Sequence, residues 1–362
     1  MGVGVSAHRL AGAVAQVGAV GTLSAVDLRR HHPDLMIETG KSRDKVLIDR
    51  ANLIALDREI KAALKMAAGY GLIAVNVMRA VSEYARYVEQ ACESGAEAIV
   101  VGAGLPLDLP DLCAAHPNVA LIPILSDARG IGIVLKKWMK KSRLPDAIVI
   151  EHPRWAGGHL GAARIEDVDD PRFEFARVIE ETFDTFRELG IEREKIPLIP
   201  AGGISTPEQV RALFAFGASA VQLGTAFAVT EECDAHPNFK RILAEAGAED
   251  IVTFTSVAGL PARAVKSPWL EKYLAKLEVL KGRAKPRSAC TLAFDCLQHC
   301  GLRDGIERFG QFCIDHHLAA AVAGDVERGL FFRGAGALPF GDRIRPVREL
   351  IAYLLSDPLP SV

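Results

Sequence analysis

The sequence predicts an α/β protein: a (β/α)8 barrel of the TIM type that lacks its first strand, followed by a mostly helical extension. Three observations carry this expectation. Short β-branched runs alternate with helical periodicities as far as Phe227, the pattern of parallel strands joined by helical crossovers. The last two runs each enter a glycine-bearing turn, Ala201-Gly202-Gly203 and Gly224-Thr225, as barrels do where they hold phosphate. Finally, 362 residues, 49% of them hydrophobic, are enough for one barrel of roughly 250 residues plus an appendage. An open, doubly wound sheet of the same strands is the alternative.

Taken in order, Ser6 is the expected N-cap of a helix carrying Leu10, Ala13, Val14 and Val17 and ending at Gly18. No strand precedes that helix. The strands expected are 20–23, 72–77, 98–101, 121–125, 147–150, 196–200 and 220–223, seven where a closed barrel has eight. Between them lie a long helical region over 44–70, an amphipathic helix from Val81 to Cys92 stopped at Gly95, and a short helix over 107–115. Helices over 127–141 and 171–189 follow. Lys136 to Lys141 form a basic helix end, read as a solvated face. Thr206, Pro207 and Gln209 supply capping-box chemistry for one more helix, which Gly217 ends.

Composition excludes several classes. A net charge of −2 implies no nucleic-acid or anionic-membrane partner. No apolar stretch approaches the roughly 18 residues of a membrane span, and no basic-then-apolar leader opens the chain. Seven cysteines, an odd number, do not suggest a secreted disulfide framework, and a cytoplasmic protein is expected.

The chemistry concentrates in 146–161. The run Ala147–Ile150 reads as a buried strand, and the loop after it carries Gly157, Gly158 and His159. Paired glycines let the backbone approach a flat or anionic ligand, and the imidazole can take or give a proton near neutrality. Bland readings stand beside these: glycines after strands serve as plain turn residues, a strand-end Asn76 can satisfy a loop, and His159 can be a hydrogen-bonded structural histidine. His152 is assigned no role.

AGGHLG at 156–161, PAGGIST at 200–206 and AVQLGTAF at 220–227 stand in an order and spacing that resemble the nitronate monooxygenase (2-nitropropane dioxygenase) family of FMN-dependent barrels. The opening MGVGVSAHRLAGAVAQVGAVGTLSA and GLPAR at 259–263 are also similar to that family. The resemblance implies a strand before Met1, which in relatives contributes backbone contacts to the flavin. It implies that Gly202, Gly203, Gly224 and Thr225 hold the FMN phosphate, and that Met1, Gly2 and Asn76 lie against the flavin ring. Gly157 and Gly158 would admit the cofactor closely, with His159 facing the substrate. The implied reaction oxidises an alkyl nitronate with O2 to a carbonyl compound and nitrite via a flavin semiquinone. Relatives of the same barrel that reduce enoyl-acyl-carrier-protein or quinone with NAD(P)H give the second reading, in which His159 donates a proton or lines a stacking site. An aldolase-type barrel is disfavoured, since none of the seven strands ends in lysine. A non-catalytic flavin- or metal-binding protein is the remaining class.

The barrel is assigned 1–281 and the extension or cap 282–362. Cys290, Cys296, Cys300 and Cys313 follow the spacing C-x5-C-x3-C-x12-C, which matches no zinc or iron–sulfur pattern. They read as structural thiols rather than a metal set, with Cys296 and Cys300 on one face of a helix. Helices are expected over 316–330 and 346–355. The loop GAGALPFG between them could lie over the flavin or seal a dimer.

Overall fold

A computed structural model describes residues 2–287, 290 and 295–356; Met1 lies outside the described residues. Six parallel strands form one curled sheet, in chain order: β1 (Val20–Ser24), β2 (Leu72–Met78), β3 (Ala98–Gly102), β4 (Ala120–Leu125), β5 (Ile148–Glu151) and β7 (Leu198–Ala201). Parallel neighbours require crossovers, and the helices between strands supply them. Strand alternation separates two apolar layers. Ile73, Val75 and Val77 of β2 point outward into the main core beneath the helices. Ala74, Ala98 and Val100 point inward, where small residues fill a narrow interior.

The capping box is formed as expected: Thr206 Oγ1 accepts from the amide of Gln209, and the Gln209 side chain accepts from the amide of Thr206, opening the helix Pro207–Phe216. Asp44 likewise caps Lys45–Ala67 through the amides of Val46 and Leu47. The basic residues Lys136, Lys137, Lys140 and Lys141 are exposed.

Several expectations need correction. The helix His8–Gln16 is not capped by Ser6. Asp234 accepts from the amides of Ala7, Arg9 and Leu10 instead, and Ser6 Oγ turns to donate to Thr22 O at 2.6 Å. Residues 220–223 make a single bridge, Ala201 to Gln222, rather than a strand, because among the described residues no strand pairs with their other side. They and β1 are the two margins of the sheet, and the apolar side chains Val14, Val20, Val210 and Phe214 line the cavity between. The helix expected over 316–330 is Ile314–Val322, ended where Gly324 takes φ +78°. Val347–Leu354 is the last helix. Cys296 and Cys300 precede the helix Gly301–Asp304 rather than sharing a helical face, since Leu297 is drawn into a bridge with Val81.

A second sheet was not foreseen. β6 (Gly158–His159), β8 (Ile251–Thr255) and β9 (Pro261–Val265) form an antiparallel sheet in the order β6-β9-β8 beside the barrel. No helix among the described residues is long and apolar enough to cross a membrane.

Candidate active site

The strand register brings one row of residues together. Ser24 pairs with Asn76, Asn76 with Val100, and Val100 with Ile122. All four line a cavity of about 610 Å³. Farther round the sheet Val149 and Glu151, two apart on β5, and Ile199 and Ala201, two apart on β7, line it as well, as a period of two requires. The walls are thus largely apolar, with a few polar groups at strand ends, the usual composition of a small-molecule site.

Every expected binding residue within the described range lies on this cavity: Gly2, Asn76, Gly157, Gly158, Gly202, Gly203, Gly224 and Thr225. Gly203 has φ +74°, and a Cβ there would sit 2.8 Å from Trp155 Cβ, so the backbone and the close indole both call for glycine. Thr225 Oγ1 accepts from the amide of Gly334 at 3.0 Å, which leaves its own hydroxyl proton to donate. The loop 334–341 lies over the cavity, with Gly334, Gly336, Ala337 and Leu338 on its lining.

The segment after β5 turns tightly. His152 O accepts from the amides of Trp155 and Ala156, after which β6 pairs Gly158 with Arg263 and His159 with Ala262. Gly157 is gripped from behind: a Cβ would meet Arg333 C and Gly334 N at 2.5 Å. The His159 ring is not itself on the lining; it packs edge-on against Phe332, 5.7 Å between centroids, which is. His159 Nε2 is buried with no hydrogen-bond partner among the described residues. Burial lowers its pKa to about 4, so the imidazole is neutral at pH 7.

Three residues not singled out in the sequence complete the site. Glu151 lines the cavity at the end of β5, and burial raises its pKa to about 7. An acid directly after a buried run was a visible signal, since strand C-terminal ends carry barrel chemistry. Trp155, 38% exposed, stands at the wall over Gly203. Ser24, 1% exposed, has an Oγ without a hydrogen-bond partner among the described residues. His152 is off the cavity lining, buried edge-on to Phe175 with Nδ1 accepting from the Arg154 amide at 3.3 Å and Nε2 3.7 Å from Glu174 Oε2. The cysteines are all free thiols, and no group of three His, Cys, Asp or Glu among the described residues is placed to hold a metal.

The chain is 29% identical to a probable nitronate monooxygenase of Bacillus subtilis over 134 residues, 37% of this chain and 36% of the relative. It therefore aligns with only about a third of that relative's length. Its fold is shared with FabK from Thermotoga maritima, with a TM-score of 0.65, 22% identity, and coverage of 97% of this chain and 88% of the other. A nitroalkane oxidase from Streptomyces ansochromogenes gives a TM-score of 0.63 at 20% identity, covering 98% and 92%. These are barrel enzymes, and the curled parallel sheet here follows their architecture. The family model described as nitronate monooxygenase matches residues 1–357, and with the three glycine loops converging on one cavity the chain belongs to the nitronate monooxygenase family.

Proposed function

We propose that this protein is an FMN-dependent oxidoreductase that oxidises alkyl nitronates with O2 to carbonyl compounds and nitrite. The observation that carries the reading is an apolar cavity lined by Gly157, Gly158, Gly202, Gly203 and Gly224, with the neutral His159 imidazole packed edge-on against Phe332 of its wall. A flavin mononucleotide suits this donor set. The φ-positive backbone of Gly202 and Gly203, with Gly224 and the Thr225 hydroxyl, forms a cradle that side chains would fill. The orphaned Ser24 Oγ, Asn76 and the carboxyl of Glu151 offer polar contacts among apolar strand ends, where a flat ring and a hydroxylated chain can be bound. When bound, FMN supplies electron transfer and reactivity with O2.

The chain's own residues do the rest. Val100, Ile122, Val149 and Phe332 present apolar walls that exclude water from the reacting carbon. His159, neutral above about pH 4, is the group proposed to take up the α-proton of a neutral nitroalkane, or to stay neutral beside a preformed nitronate. Glu151, near pH 7, exchanges its proton in the physiological range at the cavity wall. On this reading the loop 334–338 acts as a cap, with Gly334, Gly336, Ala337 and Leu338 on the cavity lining. The substrates are small molecules: the nitronate, O2 and, on the second reading, NAD(P)H.

The test is a visible absorption spectrum of the purified protein, then anaerobic mixing with an alkyl nitronate and, separately, with NADH or NADPH. Flavin absorbance that responds to nitronate and ignores nicotinamides is the expected result. Full bleaching by NADH or NADPH would move the assignment to a reductase of the same fold. A protein that cannot be loaded with FMN would remove both readings.

A further inference from the structure

We propose that Arg263 is a positioning residue that sets the Gly157-Gly158-His159 segment against the cavity and seats Trp155 over Gly203. The proposal rests on the reading of His159 as the group that handles the substrate proton. Arg263 lies on β9 directly opposite Gly158, so its backbone belongs to the ladder that fixes β6. Its side chain, 6% exposed, runs under the preceding turn, where Nη1 donates to Pro153 O at 2.9 Å and to Ala156 O at 2.7 Å. One nitrogen thus spans the turn that holds Trp155 between its two anchored carbonyls. The same residue grips β6 by main chain and the turn before it by side chain.

Among the described residues none forms an ion pair with Arg263, and burial lowers the guanidinium's pKa. Burying an uncompensated cation is costly, and what this one obtains is geometry. Two carbonyls, three residues apart, are held at fixed distance by a planar group that cannot lose its charge. Arg333 supplies the opposing grip: its main chain is what a Cβ at Gly157 would strike, and its Nε donates to Leu243 O at 2.8 Å. The loop is therefore clamped between two buried arginines, and of the two it is Arg263 whose side chain bonds the turn that links β5 to His159. A small displacement there moves both ends together, and misplacement of a reacting group by about 1 Å costs on the order of a hundredfold in rate.

The experiment compares Arg263→Lys and Arg263→Ala with the parent chain, each loaded with FMN. Four readings are taken: melting temperature, FMN dissociation constant from flavin fluorescence, kcat and KM, and the rate of tryptic cleavage after Arg154. Arg263→Lys is expected to keep its melting temperature and KM while kcat falls roughly tenfold or more. Arg263→Ala is expected to weaken FMN binding, to be cut faster after Arg154, and to regain kcat in millimolar guanidinium. Parent-like kcat, FMN affinity and cleavage in both folded variants would overturn the proposal. So would losses in Arg263→Ala that simply track a lower melting temperature and are not rescued by guanidinium. If the alanine variant does not fold, the kcat of the lysine variant decides. If the parent chain binds FMN but turns over neither nitronates nor NAD(P)H, the proposed function fails, while the cleavage and FMN-affinity readings still decide the clamp.

Discussion

Two sets of ionisable groups, one between the helices His8–Gln16 and Lys45–Ala67 and one at the end of β5, are treated in opposite ways. In the first set Glu59 is buried against three partner atoms: the amide of His8 at 2.8 Å, His8 Nδ1 at 2.7 Å and His32 Nε2 at 3.0 Å. Burial alone would raise its pKa, but hydrogen bonds from His32 and His8 outweigh burial and hold it at about 2. In the second, Glu151 and His159 are moved chiefly by burial, the acid up to about 7 and the imidazole down to about 4. The difference teaches how environment assigns role. Partners drive a carboxyl into a permanent charge and out of proton chemistry, while burial without partners drives a group toward its neutral form and leaves it available.

The largest expected effect that tests this contrast is His159→Ala. Loss of a group that handles the substrate proton should lower kcat/KM by about 10²–10⁴, with the melting temperature and bound FMN unchanged, as followed by oxygen uptake. In the parent enzyme the acid limb that reports this imidazole should lie nearer pH 4 than 6.5. Full turnover by the alanine variant on every substrate would end the distinction drawn here.

Next comes Glu59→Gln, expected to cost about 3 kcal/mol of stability at pH 7, since one pKa unit corresponds to about 1.4 kcal/mol. Its folded pKa is depressed below the 4.5 of an ordinary glutamate. The contribution is therefore complete above about pH 4.5 and is lost as pH falls through about 2. Urea unfolding at pH 7 and pH 3 should show the gap between parent and variant narrowing at the lower pH.

Glu151→Gln should behave in the opposite sense. A carboxyl whose folded pKa is raised to about 7 stabilises the fold below its unfolded value of 4.5, and that contribution is lost as pH rises through 7. In FMN-free protein the glutamine variant should equal the parent at pH 4.5 and exceed it by about 1–3 kcal/mol at pH 8. A variant less stable than the parent at pH 8 would show that Glu151 is paired after all.

The smallest change supplies a scale from outside both regions. Thr206→Ala removes one capping acceptor and should cost about 1 kcal/mol, measured by the same unfolding. A larger loss would mean that the Gly202-Gly203 turn depends on this cap.

Much of this molecule is legible locally. The six strands of the main sheet stand within two residues of their expected bounds, because each is a short apolar run between turn residues. The Thr206–Gln209 box forms because its partners are three residues apart. The glycine loops reach one cavity because strands of a parallel sheet all end on the same side, whatever their order along the chain. The nitronate monooxygenase resemblance was carried by those same loops. Where expectation failed, the cause lay far off in sequence: Asp234, 227 residues from Ala7, displaces Ser6 as the cap.

Sequence by itself therefore determined the strand–helix alternation, the side of the sheet on which the chemistry lies, and the identity of His159 as the group to examine. Tertiary structure alone decided that burial outweighs pairing at Glu151 while partners outweigh burial at Glu59, that 220–223 stays a margin with one bridge, and that Arg263 meets the turn before His159. Periodicity and capping act over a few residues and can be read from spacing. Burial, pairing and clamping depend on which distant surfaces meet, and no local pattern encodes the distance between them.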